Sequence, residues 1–215
     1  MFRRMTMMIA LLLLLAPGAR AADGHALVEP LQARWAEIKY QLPEGAHAEE
    51  YALLGKRAHA LSEANPNVPE VLIWEAIIAA SEAGARGGLG ALSLVKQARR
   101  LLEESLKLDE GALNGSAYTS LGTLYAKVPR WPIGFGNRDK AEAMFARSLA
   151  LNPDGIDPNY FYGEYLVERK RVAEARRHLE KALAAPPRPG RELADEGRRQ
   201  EIRALLISLG GETTH

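Results

Sequence analysis

Ala141, Phe145, Ser148 and Pro153 recur 34 residues later as Ala175, Leu179, Ala182 and Pro187, with Leu149 recurring as Leu183 in the same frame. A repeat of that length carries one pair of helices whose apolar faces can be buried only against the next pair, which constrains the chain to a stack of helical hairpins. Ala98, Leu102, Ser105 and Leu106 precede Ala141, Phe145, Ser148 and Leu149 by 43 residues, one repeat plus nine insertions. Two of the nine fall near Gly111 to Gly115, and the other seven lengthen the loop from Pro129 to Gly136. Such a stack offers a curved surface rather than a catalytic cleft.

The rest of the chain fits an all-α reading, rich in alanine and leucine with only four Phe. Leu31, Trp35, Ile38 and Leu42 share one helix face before Pro43, and a second amphipathic run from Ala46 to Ala64 stops at Asn65-Pro66. A third begins after Pro69 with Val71, Leu72, Ile73, Ile77 and Ile78. Gly84 to Gly90 is too glycine-rich to stay helical and predicts a flexible connection. Helices follow over Leu92–Leu108, from Asp157 as N-cap to about Glu168, and over Val172–Ala184. Glu192 to Leu209 reads as a closing helix ended by Gly210-Gly211.

Residues 1–21 combine Arg3 and Arg4, an apolar stretch from Met7 to Ala16 and the ending Ala19-Arg20-Ala21, the pattern of a cleavable export signal. Cleavage leaves one domain over 22–215, of 194 residues, whose charge moves from +1 to −2 with the loss of three arginines. A near-neutral surface argues against nucleic acid as partner. With no Cys there is no disulfide and no lipid-modified cysteine, so no stable membrane anchor is expected after cleavage and a periplasmic or secreted product follows.

The best repeats, 115–153 and 156–187, resemble the tetratricopeptide repeat, which favours a large residue, Leu-Gly and Tyr in its first helix and Ala, an aromatic, Ala and Pro in its second. Tyr118, Leu121, Gly122 and Tyr125 match the first set, Ala141, Phe145 and Pro153 most of the second, and Gly163, Ala175, Leu179, Ala182 and Pro187 repeat it. The glycine stands where the two helices of a hairpin approach most closely. The resemblance implies a right-handed superhelix of antiparallel helix pairs with a C-terminal capping helix. A narrower resemblance is to the periplasmic T component of tripartite ATP-independent (TRAP) transporters, similar in its helical-repeat body and in aromatic-acidic runs like Asn159-Tyr160-Phe161-Tyr162-Gly163-Glu164-Tyr165. Pro129-Arg130-Trp131-Pro132 also resembles a loop of the eukaryotic microtubule-dynamics regulators.

In the repeat class, five positions of each first helix face the concave groove. They correspond to Glu70, Ile73, Ile77, Ala80 and Ser81, then Ser116, Thr119, Thr123, Ala126 and Lys127, then Asp157, Tyr160, Glu164, Val167 and Glu168. Grooves that grip a peptide carboxylate need cations or amides where this chain has Ile73, Thr119 and Tyr160, then Ile77, Thr123 and Glu164, so a chaperone-tail clamp is not expected. The implied groove is apolar at one end and aromatic-acidic at the other, suited to an extended peptide or amphipathic helix. Tyr160 and Ile77 have a second reading, as packing between repeats. So do Trp131 and Phe135 in the 129–136 insertion, as partner contacts or as a staple folding the loop onto the repeat.

Catalysis finds no support. His25, His47, His59, His178 and His215 show no metal-binding spacing and have no Cys partner. Asp154, Asp157 and Asn159 miss the calcium-loop pattern and read as a turn followed by an N-cap. Arg188, Arg191, Arg198, Arg199 and Arg203, interleaved with Glu192, Asp195, Glu196 and Glu201, read as a solvated, ion-paired helix surface. The expectation is a non-enzymatic scaffold, without cofactor or metal, that binds a protein or peptide through its concave face and the 129–136 loop. The alternative is a T-component-like transport accessory that forms homo-oligomers and handles a small apolar ligand.

Overall fold

The computed structural model describes residues 23–88 and 90–210. The export segment expected at 1–21, Gly211 and His215 lie outside that span. Within it the chain is all-helical, with elements α1 (Gly24–Gln41), α2 (Glu44–Ala64), α3 (Pro69–Arg86), α4 (Gly90–Leu108), α5 (Ala112–Lys127), α6 (Arg138–Leu151), α7 (Ile156–Glu168), α8 (Val172–Leu183) and α9 (Glu192–Gly210). No helix among the described residues is long and apolar enough to cross a membrane.

Local chemistry sets most boundaries. Asp23 caps α1 by accepting from the His25 amide at 3.1 Å, and Leu42, forced extended by the following Pro43, ends it. Pro69 opens α3 at a position where no amide is needed, and the Asn137 side chain accepts from the Lys140 amide to start α6. Two expectations need correction. Gly84 stays helical, because the last turn of α3 is held by the Arg86–Glu82 ion pair at 2.8 Å, and the break falls at Gly87 and Gly88, both with positive φ. Asp157 is not the N-cap of α7. Gly155 holds that position, and the turn is pinned from the other side by Asn159 Nδ2, which donates to the carbonyls of Pro153 and Gly155. The two-residue insertion near Gly111–Gly115 takes the form of a left-handed break at Leu113, Asn114 and Gly115 inside α5.

Consecutive helices pack as α2/α3, α3/α4, α5/α6 and α7/α8, while α3, α5 and α7 touch in sequence as one layer. The repeat frame marks equivalent buried sites in the second helix of each pair. Ala98, Ala141 and Ala175 are fully buried, Leu102, Phe145 and Leu179 nearly so, and Ser105, Ser148 and Ala182 complete the series. The apolar members of this series join Leu121, Tyr125, Tyr165 and Leu166 in one core. A second core around Val28, Leu31, Trp35, Tyr51, Leu54 and Trp74 ties α1, α2 and α3 together, and Ile77 and Leu113 border both.

The expected close approach at the repeat glycines is present. A Cβ on Gly122 would lie 2.8 Å from the Phe145 ring, and one on Gly163 would lie 2.9 Å from the Leu179 side chain. The helices of the α5/α6 and α7/α8 pairs therefore meet over a missing side chain, and the large residue from the second helix fills that space. Gly55 in α2 is different, since a Cβ there makes only ordinary contact with Glu82 at 3.6 Å.

These geometries predict opposite signs. Gly163→Ala should destabilise by about 1–3 kcal/mol through overpacking, with part of the loss recovered when Leu179 is shortened to Val. Gly55→Ala should stabilise by about 0.5–1 kcal/mol because only the backbone term changes. Urea unfolding of the variants measures both.

Candidate functional site

The face expected to be an open groove is partly covered by the chain itself. α9 packs against α8, α7 and α1, joining the last helix to the first. Ala194 enters the N-terminal core with Leu193 beside it. Gly197 makes the passage possible, since a Cβ there would stand 2.4 Å from the Tyr40 ring. Arg191 lies over Trp74 at 5.1 Å, and Arg198 lies over both Tyr160 and Phe161, at 4.3 and 4.6 Å.

Charged groups fix this crossing. Asp157 accepts from Arg188 Nη1 at 2.7 Å through one oxygen and from Arg198 Nε at 3.1 Å through the other. Arg188 also reaches Asp195, whose carboxylate takes the Arg188 backbone amide and guanidinium, both at 2.8 Å. Glu201 receives Arg198 Nη1 at 2.6 Å, Tyr40 Oη at 3.3 Å and Lys39 Nζ at 3.3 Å, so one carboxylate binds α9 to α1. Burial alone would raise the Asp157 carboxyl, but Arg188 and Arg198 outweigh it and hold it far below the ordinary value. For Arg198, burial opposes the charge, and Asp157, Tyr40 and Glu201 more than restore it. Burial likewise pushes the Tyr40, Tyr51 and Tyr160 phenols up. Arg198 is thus not part of a solvated surface, while Arg188 stays part-exposed. Arg198 is 6% exposed and Asp195 is 1% exposed, each buried with a charge partner, Arg198 with Asp157 and Glu201 and Asp195 with Arg188. Arg203 fits the original expectation, being half-exposed and paired with Glu196 at 3.3 Å.

The expected groove residues separate into three groups. Ile73 and Thr119 are buried: Ile73 belongs to the core, and Thr119 Oγ1 shares a hydrogen bond of 2.5 Å with Ser148 on α6. Tyr160 is buried between Arg198 and Phe161, and Ile77 is part-buried between the two cores, so packing is the role the structure gives both. Thr123 donates to the Thr119 carbonyl at 3.0 Å. Lys127 and Glu164 remain at the edge, paired at 3.1 Å, with Glu168 also bound to Lys127. Burial pulls the Lys127 ammonium down, yet the two carboxylates leave it above the ordinary lysine value.

In the 129–136 loop Phe135 folds onto the repeat and Trp131 does not. Phe135 is the staple, set edge-on to Tyr125 at 5.7 Å with Arg99 over its ring at 4.5 Å. Trp131 and Ile133 point outward, 86% and 63% exposed. The Trp131–Pro132 bond is cis. The base of the loop is closed by the Gly136 amide to the Pro129 carbonyl at 3.0 Å and the Asn137 amide to the Tyr125 carbonyl at 2.9 Å. Gly134 and Gly136 lie against the Val128–Pro129 backbone with no room for a Cβ.

Among the described residues no group of three or more His, Cys, Asp or Glu side chains is placed to hold a metal ion. His47, His59 and His178 bond locally to the Leu42 carbonyl, Glu75 and Asn159. Asp154 pairs with Lys181 at 3.0 Å.

The described residues form a two-core helical stack whose last helix packs back against its first. The sequence pattern of the TRAP transporter T-component family matches residues 44–209, and the chain belongs to that family. No curated protein matches it at significant similarity.

The α9 crossing makes a pH-dependent prediction. Because the folded Asp157 carboxyl sits below its ordinary value of 3.8, its contribution to stability is complete above that value. The contribution is lost as the pH falls below it toward the folded value. Asp157→Asn should therefore destabilise by about 2–3 kcal/mol at neutral pH, and the gap to wild type should shrink as urea midpoints are followed downward from pH 5.

Proposed function

We propose that this chain is a non-enzymatic accessory of a TRAP-type transporter, exported by residues 1–21, that acts by binding the transporter's protein components. The family match over residues 44–209 carries this reading. The helix order supports a superhelix of tetratricopeptide type, with pairs α3/α4, α5/α6 and α7/α8 stacked through α3, α5 and α7 and α9 as the cap. The covering of Tyr160 by Arg198 moves the expected contact surface away from that end of the groove, toward the Lys127–Glu164 edge.

Self-association and carriage of a small apolar ligand belong to the same proposal. Leu108 and Leu151, equivalent positions at the ends of α4 and α6, are 43% and 39% exposed and suit a contact between copies.

Gentle crosslinking followed by affinity capture from the envelope of the source cells should recover subunits of a TRAP transporter, and N-terminal sequencing of the captured protein should begin at Ala22. Capture of unrelated proteins only would remove the accessory reading. Native mass spectrometry of the same material should show a discrete oligomer with bound apolar mass, and a bare monomer would remove that part.

A further inference from the structure

Trp131 and Ile133 stand two residues apart at the tip of a loop whose base is tied to α5 by backbone hydrogen bonds. Holding two large apolar side chains in water on an anchored loop brings no gain to folding, and Phe135 already supplies the contact that fastens the loop down. The surroundings are cationic. Lys96, Arg99 and Arg100 share one face of α4 and, with Trp131, Pro132, Ile133 and Phe135, border a depression of about 360 Å3. Arg99 is engaged by Phe135 and by Glu103 at 3.5 Å. Lys96, Arg100 and Arg130 form no ion pair among the described residues, although Glu104 follows Arg100 by one helical turn.

Two outward apolar side chains are too few for the core of an ordinary protein interface, which buries about 800 Å2 per partner around a continuous apolar centre. They do suit the boundary of a bilayer. Tryptophan partitions there with its ring among the headgroups, and neighbouring Lys and Arg find the phosphates of anionic lipids. We propose that the 129–136 loop and the cationic face of α4 dock on an anionic phospholipid surface. Trp131 and Ile133 are seated at headgroup depth, and Lys96, Arg100 and Arg130 face lipid phosphates. The proposal rests on this surface alone and stands apart from the transporter role.

The test uses the full chain with vesicles of phosphatidylcholine, alone or mixed with phosphatidylglycerol. Comparing variants with wild type cancels whatever the common N-terminus contributes to partition. Trp131 is also the exposed indole, Trp35 and Trp74 being 9% and 4% exposed, so quenching by acrylamide reports on the loop. Phosphatidylglycerol vesicles should shield it, and added salt should reverse the effect. The pairs Trp131→Ala with Ile133→Ala, and Lys96→Glu with Arg100→Glu, should each reduce binding by about tenfold or more. Their urea midpoints should stay unchanged, because the altered side chains are exposed. Unaltered quenching, equal shielding by phosphatidylcholine alone, or variants that bind vesicles like wild type would overturn the proposal. Loss of a co-purifying protein in the Trp131 variant, with vesicle binding intact, would assign the loop to a protein contact instead.

Discussion

The α5/α6 and α7/α8 pairs depend on one close approach: a large side chain from the second helix lies where the first helix has none. Phe145 over Gly122 and Leu179 over Gly163 set the spacing within their pairs, and that spacing brings Tyr125, Tyr165 and Leu166 into a single core. Neither helix of a pair could bury its apolar face alone. The fold is therefore a chain of mutually dependent hairpins, and its two ends need separate treatment.

That treatment is α9. An open stack would leave the aromatic face of α7 and the Trp74 side of α3 to water. Arg198 of α9 covers the first and Arg191, just before α9, lies over Trp74, while the Arg198 charge is met by Asp157 and Glu201 and that of Arg188 by Asp157 and Asp195. The crossing helix seats Ala194 in the N-terminal core and Ile202 and Leu209 in the other, and its cation–π contact and paired charge tie the crossing to particular partners as well. What stays open is polar at the Lys127–Glu164 edge and mixed apolar-cationic at the 129–136 loop. The open surface thus lies at the margins of the stack rather than on the face that α9 crosses.

Much of the architecture was legible in the sequence because it is written in local periodicity. Ala141, Phe145 and Ser148 echo in Ala175, Leu179 and Ala182 because equivalent core sites impose equivalent volumes. Pro43, Pro66 and Pro69 bound helices through constraints acting within a residue or two. The site was less legible. Ile73, Thr119 and Tyr160 were assigned to an open face by counting positions, a procedure blind to what another segment lays across that face. Gly197, a glycine inside a highly charged helix, was the available signal that something large passes beside it, and Tyr40 does.

The residues in chain order specified an all-helical stack, its glycine contacts and the outlying 129–136 insertion, since each follows from interactions between near neighbours or from a fixed repeat. Whether Asp157 caps a helix or binds two arginines, and whether Arg198 meets water or Tyr160, was settled in three dimensions. The physical reason is that a carboxylate satisfies an amide or a guanidinium equally well. Which of them it meets depends on α9 returning across more than a hundred residues of chain to α1.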